Sequence, residues 1–338
     1  MNNAKVKAPP ANMRLMMSQM VTSKCLGIAA ELGIADMVGT GPQSVDHLSQ
    51  ELNLDSDALH RLIRLLASQG IFSIDGNGMV SNSEVSDFLK DDIMGSQRNF
   101  ARMMGSSWMW QVFNHLEHSL ETGNSAFESA YDDTPNIFEY FKKVSPQDGK
   151  VFGQAMSGFS YAFDKPLIDS YDFSEVQHVV DLGGAEGRLL KYLKSVYPKI
   201  DASLFDLPDM ITQARAADPK GVLNMVEGDF FKKVEPSADC YIIKYVLHNW
   251  TDEACLKIME NCRQSITDNG RVLIMDILIK EDEPQVTEKS MDLVMLMVLG
   301  AKERTREQFE ELLTKTSFKI NRIIPTKTPL SIIEVLPV

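Results

Sequence analysis

The stretch from His178 to Pro198, HVVDLGGAEGRLLKYLKSVYP, most constrains the fold of this chain. A short apolar run ends at Asp181 and is followed by a glycine pair, after which Leu189, Leu190 and Leu193 recur at helical spacing. This order predicts a strand, a tight glycine turn and a helix. Because the amides of the next helix face the crevice at the end of a buried parallel strand, the stretch predicts a small-molecule site.

The glycine turn does not match the dinucleotide fingerprint, which needs glycines at i, i+2 and i+5. Counting from Gly183 meets Ala185 and Arg188 at the two later positions, and counting from Gly184 also fails. A nicotinamide cofactor is therefore disfavoured. The segment DLGGAEG instead resembles the nucleotide-cofactor loop of S-adenosylmethionine (SAM)-dependent methyltransferases, in which the turn holds the methionyl end of the cofactor.

Composition excludes several classes of protein. The chain has 338 residues, 44% hydrophobic and 24% charged, which is typical of a globular enzyme of two lobes. Its formal charge of −13 opposes nonspecific nucleic-acid binding. The amino-terminal sequence does not predict a secretory signal, and no apolar run reaches membrane-spanning length, so we expect neither feature. The four cysteines lack CxxC spacing, which favours free thiols in a reducing compartment, so we expect a cytoplasmic protein.

The first hundred residues contain two helical patterns followed by a hairpin pattern. Met16 and Met20 lie in an early helical segment that we interpret as core-packing. Ser44 is a candidate cap for one later helix, and Asp55 or Ser56 for the next. The segment IFSIDGNGMVSNS then predicts two short strands around a Gly-Asn-Gly turn. Helix, turn, helix and hairpin together predict a winged helix.

A winged helix raises the possibility of a DNA-binding regulator, because this motif can read the major groove with its second helix. Between Ser44 and Lys90, however, seven acidic residues stand against three basic ones, which is the wrong sign for phosphate contacts. The second helix also devotes most of its leucine and isoleucine side chains to burial. A dimerisation lobe is the favoured interpretation, and DNA binding is a less favoured alternative.

The region from Gln97 to Phe163 predicts helices rich in aromatic residues and methionine. Its histidine pair at positions 115 and 118 lacks further ligands, so a solvated helix face is favoured and no metal site is predicted. Phe152, Met156 and Phe159 are spaced as one apolar stripe. The stripe is either core or the wall of a substrate pocket.

After the glycine turn, strands and helices alternate, and acidic residues follow the strands. Asp206 ends a second strand, where a carboxylate can accept from both hydroxyls of a ribose. Asp229 follows a third strand and could accept from an adenine amino group, with Phe230 covering the ring. ADCYIIKYVLHNW predicts a strand that terminates at His248, RVLIMDILI predicts a strand that ends near Asp276, and two more strands close the chain.

Read together, five motifs resemble the small-molecule O-methyltransferase family that includes caffeate, isoflavone, acetylserotonin and polyketide-tailoring enzymes. The motifs are VVDLGGAEG, LFDLP, GDFF, KYVLHNWTDEACLKIMENC and MDLVMLMVLGAKERTREQF, in family order. With the winged-helix lobe, the resemblance covers essentially the whole chain. It implies a Rossmann-like SAM-dependent methyltransferase sheet with an N-terminal α-helical winged-helix dimerisation domain.

The resemblance also implies roles for individual residues. The implied cofactor ligands are Gly183, Asp206, Asp229, Phe230, Lys244 and Trp250, and the implied catalytic residues are the base His248 with two flanking acids, Asp276 and Glu303. Asp276 is shorter by one methylene than the glutamate of plant members. Residues predicted to line the acceptor pocket between the lobes are Trp108, Phe152, Met156, Phe159 and Met295. No metal is required.

The residue chemistry agrees with methyl transfer to a hydroxyl. A phenol, with a pKa of about 10, is mostly protonated at neutral pH, so attack on an electrophilic methyl gains from a base that takes the proton. Histidine suits this role because its ordinary pKa, about 6.5, leaves it largely neutral. We therefore expect an O-methyltransferase of secondary metabolism that acts on an aromatic or polyketide-like acceptor and releases S-adenosylhomocysteine (SAH). C- or N-methylation, or other SAM chemistry, is the main alternative.

The predicted organisation has three parts. Residues 1–95 form a winged-helix-like dimerisation domain, residues 96–165 a helical linker that contributes to the substrate pocket, and residues 166–338 the SAM-binding domain. We expect a homodimer, with no nucleic-acid or membrane partner.

Overall fold

The computed structural model describes residues 11–131, 134 and 136–338, without the side chains of residues 11 and 159. The helices are α1 (Ala11–Leu32), α2 (Ile34–Met37), α3 (Val45–Leu52), α4 (Ser56–Ser68), α5 (Arg98–Gly105), α6 (Ser107–Phe113), α7 (Leu116–Thr122), α8 (Phe127–Ala130), α9 (Ile137–Lys143), α10 (Pro146–Asp169), α11 (Arg188–Val196), α12 (Pro208–Ala217), α13 (Asp252–Ser265), α14 (Val286–Leu299) and α15 (Arg306–Lys315). The strands are β1 (Gln43–Ser44), β2 (Phe72–Ile74), β3 (Met79–Asn82), β4 (His178–Leu182), β5 (Asp201–Asp206), β6 (Asn224–Glu227), β7 (Cys240–Lys244), β8 (Arg271–Ile279), β9 (Arg304–Thr305), β10 (Phe318–Pro325) and β11 (Leu330–Pro337). Short 3₁₀ turns cover Ser86–Leu89 and Leu247–Asn249.

The chain packs into two compact units. The first contains the residues up to Gln111 together with Phe141–Ser160, and the second contains Val112–Tyr140 and Tyr161–Val338. These units group residues by packing. The division at residues 95 and 165 assigns functions to segments, and it stays a prediction.

The first unit contains the predicted winged helix. Helices α3 and α4 are followed by the antiparallel hairpin β2–β3, and β1 adds to the free edge of β3. The predicted caps are present, because the Ser44 hydroxyl accepts from the backbone N–H of His47 at 3.2 Å and the Asp55 carboxylate accepts from that of Ala58 at 2.8 Å. Asp55, rather than Ser56, is therefore the cap of α4.

Helices α1 and α5 of this unit cross at two glycines. A Cβ atom built on Gly27 would lie 2.5 Å from the Cα of Gly105, so neither position has room for a side chain. The Lys24 ammonium also donates to the Gly105 carbonyl at 2.6 Å. The beginning of α1 differs, because Met16 and Met20 are 72% and 60% exposed. The expectation that they fill a core is therefore wrong for the single chain, because no described residue covers this part of α1.

The second unit is built on one large sheet with the strand order β10-β11-β8-β7-β4-β5-β6, and β9 pairs with β8. Strands β8, β7, β4, β5 and β6 run parallel, whereas β10 and β11 form an antiparallel edge. One apolar cluster covers each face of the sheet. The predicted mixed α/β architecture and the closing pair of strands are confirmed.

The strand order places a topological switch point at the carboxyl ends of β4 and β7. From β4 the chain moves to β5 and β6 on one side, and it later returns to β7 on the other side of β4. The crevice between two such strand ends is the usual ligand site of an open α/β sheet.

Two predicted strand ends are wrong. The strand expected to reach His248 ends at Lys244, because Tyr245 has a left-handed φ of 54° and its N–H donates to the Met275 carbonyl at 3.1 Å. His248 consequently lies in the 3₁₀ turn. Asp276 lies inside β8, not at its end, since this strand continues to Ile279.

Among the described helices, none combines the length and the apolar composition that a membrane crossing requires.

Candidate functional site

The turn after β4 leaves almost no space beside its backbone. Gly183 adopts a φ of 75°, and its N–H donates to the Phe205 carbonyl at 2.9 Å. A Cβ atom built on Gly184 would lie 2.2 Å from Oδ2 of Asp181, a distance that side chains do not tolerate. The turn is therefore fixed by glycines for two reasons: backbone conformation at Gly183 and close packing at Gly184.

Asp181 supports this turn from within the sheet. Burial raises the pKa of Asp181 to about 7, although the positive charge of Lys244 acts in the opposite direction. Its Oδ1 atom has no hydrogen-bond partner among the described residues. The carboxyl group lies beneath the glycine turn, and the sequence prediction did not include it among the site residues.

Asp206 ties the end of β5 to the glycine turn. Its Oδ1 accepts from the backbone N–H of Leu207 at 2.7 Å, and its Oδ2 accepts from that of Ala185 at 3.0 Å. Burial raises the pKa of Asp206, and the two N–H groups partly oppose this rise. Each oxygen keeps a further lone pair, so the carboxylate can accept from two neighbouring hydroxyl groups of a ligand.

An aromatic cluster follows β6. The Asp229 carboxylate accepts from the N–H of Phe231 at 3.0 Å, which fixes the turn that carries Phe230. The Phe231 ring stands edge-on to Phe230 and to Trp250, with centroid distances of 4.9 and 4.8 Å. The structure thus brings Asp229, Phe230 and Trp250 together through Phe231. Sequence reasoning missed Phe231, although its position within GDFF was a signal.

Lys244, the last residue of β7, forms an ion pair with Asp164 of α10. Both side chains are buried, with 7% and 8% of their areas exposed. Burial raises the pKa of Asp164, and the charge and hydrogen bond of Lys244 only partly offset that rise. Sequence reasoning missed Asp164, because no motif contains it.

His248 and Glu303 form a buried hydrogen-bonded pair. Nδ1 of His248 lies 2.7 Å from Oε1 of Glu303, and the residues are 8% and 3% exposed. Burial lowers the pKa of His248, but the hydrogen bond and charge of Glu303, with the charge of Asp276, outweigh it and raise the pKa above the ordinary 6.5. Because an ionised carboxylate only accepts, we assign the hydrogen to Nδ1, which leaves Nε2 as the acceptor of the ring.

Asp276 lies near this pair without a hydrogen bond of its own. Neither of its carboxylate oxygens, nor Oε2 of Glu303, has a partner among the described residues. Burial raises the pKa of Asp276 to about 7, with His248 acting to lower it and Glu303 to raise it. The cation nearby, Arg304, cannot serve these oxygens, because its guanidinium nitrogens donate to Asp252 and to the carbonyls of Leu247 and Trp250.

The residues predicted to line an acceptor pocket belong to different units and are described separately. In the first unit, Trp108 is buried edge-on to Phe141 at 5.6 Å, and Phe152 packs on Phe141 at 5.1 Å. Met156 is partly buried in α10, and the side chain of Phe159 lies outside the described residues. In the second unit, Met295 is partly buried in α14. The role of these residues in binding an acceptor stays a prediction.

Within the described part of the chain, no three side chains of the His, Cys, Asp and Glu types form a group that could hold a metal ion.

Comparison with known families matches both parts of the chain. Residues 14–92 match the O-methyltransferase dimerisation domain, and residues 113–319 match the O-methyltransferase domain. The chain belongs to the O-methyltransferase family. It is a SAM-dependent methyltransferase, and the resemblance inferred from the five sequence motifs is confirmed.

Individual relatives support this assignment over nearly the full length of the O-methyltransferase. A phenazine O-methyltransferase from Lysobacter antibioticus is 32% identical over 331 residues, which is 95% of each chain. A mitomycin biosynthesis 6-O-methyltransferase from Streptomyces lavendulae is 28% identical and covers 93% of this chain and 90% of that one.

Solved structures of similar proteins support the same family assignment. The crystal structure of LaPhzM superposes with a TM-score of 0.90 at 31% identity, covering 98% of this chain and all of that one. The SAH-bound form of CalO1, a methyltransferase of calicheamicin biosynthesis, superposes with a TM-score of 0.85 at 26% identity and 97% coverage of both chains. Relatives of the O-methyltransferase therefore include enzymes of secondary metabolism.

Proposed function

We propose that this O-methyltransferase transfers the methyl group of SAM to a hydroxyl of an aromatic or polyketide-like small molecule, with His248 as the general base. The observation that carries the proposal is the buried hydrogen bond of 2.7 Å between Nδ1 of His248 and Glu303. This bond fixes the ring tautomer so that Nε2 is free of its own hydrogen and can take a proton from an acceptor hydroxyl. Two relatives, a phenazine O-methyltransferase and an O-methyltransferase of mitomycin biosynthesis, support the class of acceptor.

We further propose that the residues around the switch point hold the cofactor, and we call this set the cofactor edge. It consists of Gly183, Asp206, Asp229, Phe230, Lys244 and Trp250. These residues fit a nucleoside. The remaining lone pairs of Asp206 can accept hydrogen bonds from a ribose diol, and Gly183 has no side chain that would block the approach of a ligand to the turn. Asp229 would accept from the adenine amino group, and Phe230 and Trp250 would flank the ring.

The catalytic residues form a second set, the base cluster, which consists of His248, Asp276 and Glu303. When bound, SAM supplies an electrophilic methyl group on a positively charged sulfur. Nε2 of His248 accepts the hydroxyl proton as the oxygen becomes the nucleophile, and Glu303 stabilises the imidazolium that forms. Asp276 adds negative charge near the same ring without contacting it through a hydrogen bond. Burial of the cluster strengthens these charge interactions.

A homodimer is part of the proposal. The match of residues 14–92 to a dimerisation domain supports it, and so do the large apolar side chains that α1 exposes. These are Met13, Leu15, Met16, Met17, Met20 and Val21, each at least half exposed. Apolar groups spaced along one helix are typical of a surface that a partner covers. Light scattering of the purified protein is expected to give twice the mass of one chain.

Two substitutions separate binding from chemistry. His248→Ala is expected to lower kcat by about a hundredfold to ten-thousandfold while calorimetry shows unchanged SAM affinity. Asp206→Ala is expected to abolish SAM binding and, with it, all activity, because the ribose loses its charged partner. A panel of phenols, naphthols and hydroxyphenazines, read by mass spectrometry as a gain of one methyl, identifies acceptors. Unchanged turnover in His248→Ala would refute the assigned base.

A further inference from the structure

The guanidinium of Arg304 is buried although it carries a charge, and the residue is only 1% exposed. A buried charge is costly unless it is paired and hydrogen-bonded. Here Nε and Nη2 donate to Oδ1 of Asp252, at 3.0 and 2.8 Å. Nη1 donates to the Leu247 carbonyl, and Nη2 also donates to the Trp250 carbonyl, both at 2.9 Å. One side chain therefore joins two backbone carbonyls to a carboxylate.

The two carbonyls lie on either side of His248. Leu247 directly precedes the histidine, and Trp250 follows the 3₁₀ turn, which ends at Asn249. Two backbone hydrogen bonds of 3.0 and 3.2 Å close this turn of three residues, and 3₁₀ bonds have poorer geometry than α-helical ones. The Cys255 thiol also donates to the Leu247 carbonyl, at 3.2 Å, but a thiol is a weak donor. The charged guanidinium is therefore the strongest side-chain donor to this turn.

The backbone that carries Arg304 is fixed on both sides. Strand β9 begins at this residue and pairs with β8, and α15 follows directly with a capping box between Thr305 and Gln308. The residue before it, Glu303, accepts from Nδ1 of His248 at 2.7 Å. Two consecutive residues thus hold the histidine, one through the imidazole ring and the other through the backbone of the turn.

We propose that Arg304 is a positioning residue for methyl transfer: by holding the two carbonyls that flank His248, it keeps the ring of that histidine in hydrogen-bond contact with Glu303. The inference rests on the proposed function, in which His248 is the base. A guanidinium can reach two carbonyls and a carboxylate together because its donors form a planar fork, whereas a lysine ammonium has the same charge at a single point. Arg304→Lys therefore removes the fork and keeps the charge.

The charge of Arg304 and its position act on His248 with opposite signs. Glu303 and Asp276 raise the pKa of His248, and the positive charge of Arg304 lowers it. The phenol of Tyr245, whose ring lies 5.0 Å from the imidazole, stays neutral because burial raises its pKa. Loss of the arginine charge would thus raise the pKa of His248, whereas loss of the contact with Glu303 would lower it. The pH profile distinguishes the two roles.

The test measures kcat, the Kd for SAM and the pH profile of kcat/KM for Arg304→Lys. We expect kcat to fall about tenfold to a hundredfold, because the base is misplaced. The acidic limb is expected to move down by about one pH unit, because the contact with Glu303 weakens while the positive charge remains. The Kd for SAM is expected to change less than about threefold, because the Trp250 ring also packs on Phe231.

Arg306→Lys is the matched control, because it makes the same substitution two residues further on. Arg306 forms an exposed pair with Glu310 at 2.8 Å, and its replacement is expected to leave all three quantities unchanged. An acidic limb that stays in place or moves up in Arg304→Lys would overturn the inference, even if kcat fell, because a merely structural role lowers kcat without lowering the pKa of the base.

Asp252→Ala provides a second test if Arg304→Lys does not fold, judged by circular dichroism. The Asp252 side chain is 56% exposed, and its loss frees the guanidinium on one side. We expect kcat to fall about threefold to tenfold and the acidic limb to move down by about half a pH unit. Glu253→Ala removes an exposed acid from the same turn of α13 and controls for the lost negative charge. Equal effects of the two alanine variants would overturn the inference, whereas unchanged turnover in His248→Ala would refute the proposed base itself.

Discussion

The cofactor edge and the base cluster hold their carboxylates in different ways. At the cofactor edge, each carboxylate oxygen of Asp206 accepts a hydrogen bond from a backbone N–H group. One oxygen of Asp229 also accepts a hydrogen bond from a backbone N–H group. In the base cluster, three carboxylate oxygens have no donor among the described residues. Backbone donors are fixed by the local chain, so the cofactor edge is preorganised. A buried carboxylate without a hydrogen-bond donor costs free energy to keep ionised. Its negative charge can instead stabilise the protonated form of a neighbouring base.

The largest expected effect comes from disturbing the preorganised region. In Gly184→Ala, the new methyl group would lie 2.2 Å from Oδ2 of Asp181 and 2.7 Å from Cδ1 of Leu204. The turn has to move, and we expect a loss of about 1–3 kcal/mol in the free energy of unfolding together with loss of measurable SAM binding. Urea denaturation and calorimetry measure the two effects.

Gly153→Ala provides the control for this substitution. Gly153 lies inside α10, and no described heavy atom is within 4 Å of a Cβ atom built there. Alanine is expected to stabilise the helix by up to about 1 kcal/mol. Normal SAM binding by Gly184→Ala would mean that the cofactor edge tolerates movement and is not preorganised.

The second-largest expected effect tests how the negative charge of Glu303 acts on the pKa of His248. Glu303→Gln keeps a hydrogen-bonding group but removes the charge that favours the imidazolium, so the pKa of His248 is expected to fall. Since only the neutral ring accepts a proton, activity rises with pH through this pKa, and the acidic limb of kcat/KM is expected to move down by about one to three pH units. The remaining charged groups acting on His248 are Asp276, which also raises its pKa, and Arg304, which lowers it.

Glu310→Gln is the matched control for the pH profile. Glu310 lies on α15 in an exposed pair with Arg306 at 2.8 Å, and its loss is expected to leave the limb in place. An unmoved limb in Glu303→Gln would mean that His248 is not the group that titrates in the profile. It would also remove the main contrast between the two regions.

The same contrast explains how far sequence reasoning reached. Each part of the cofactor edge is a contiguous motif at the end of a strand, such as DLGGAEG or LFDLP, so local pattern was enough to predict it. The pairing of Lys244 with Asp164 was not predictable, because Asp164 is 80 residues away and outside any motif. The strand end before His248 was also missed, since the left-handed backbone of Tyr245 interrupts an apolar run that would otherwise continue.

The exposure of Met16 and Met20 near the beginning of α1 was not predicted, for a related reason. Met16 and Met20 have the spacing of core residues, yet both are exposed in the single chain. Helical periodicity identifies an apolar face, and it does not distinguish a face that packs within the chain from one that packs against a second chain.

The smallest expected effect sharpens the comparison within the base cluster. The pKa of Asp276 is raised from 3.8 to about 7, so the folded protein keeps a proton there that the unfolded chain releases near pH 4. Stability is therefore lost as pH rises from about 4 to 7. In Asp276→Asn this loss is absent, and the free energy of unfolding of the variant is expected to exceed that of the wild type by about 1–3 kcal/mol between pH 5 and pH 8, with kcat/KM reduced only severalfold.

Asp282→Asn is the matched control, because Asp282 is exposed, and it is expected to show no such gain. A variant less stable than the wild type at pH 8 would show that a hydrogen-bond donor holds the Asp276 carboxylate, which would then resemble the carboxylates of the cofactor edge.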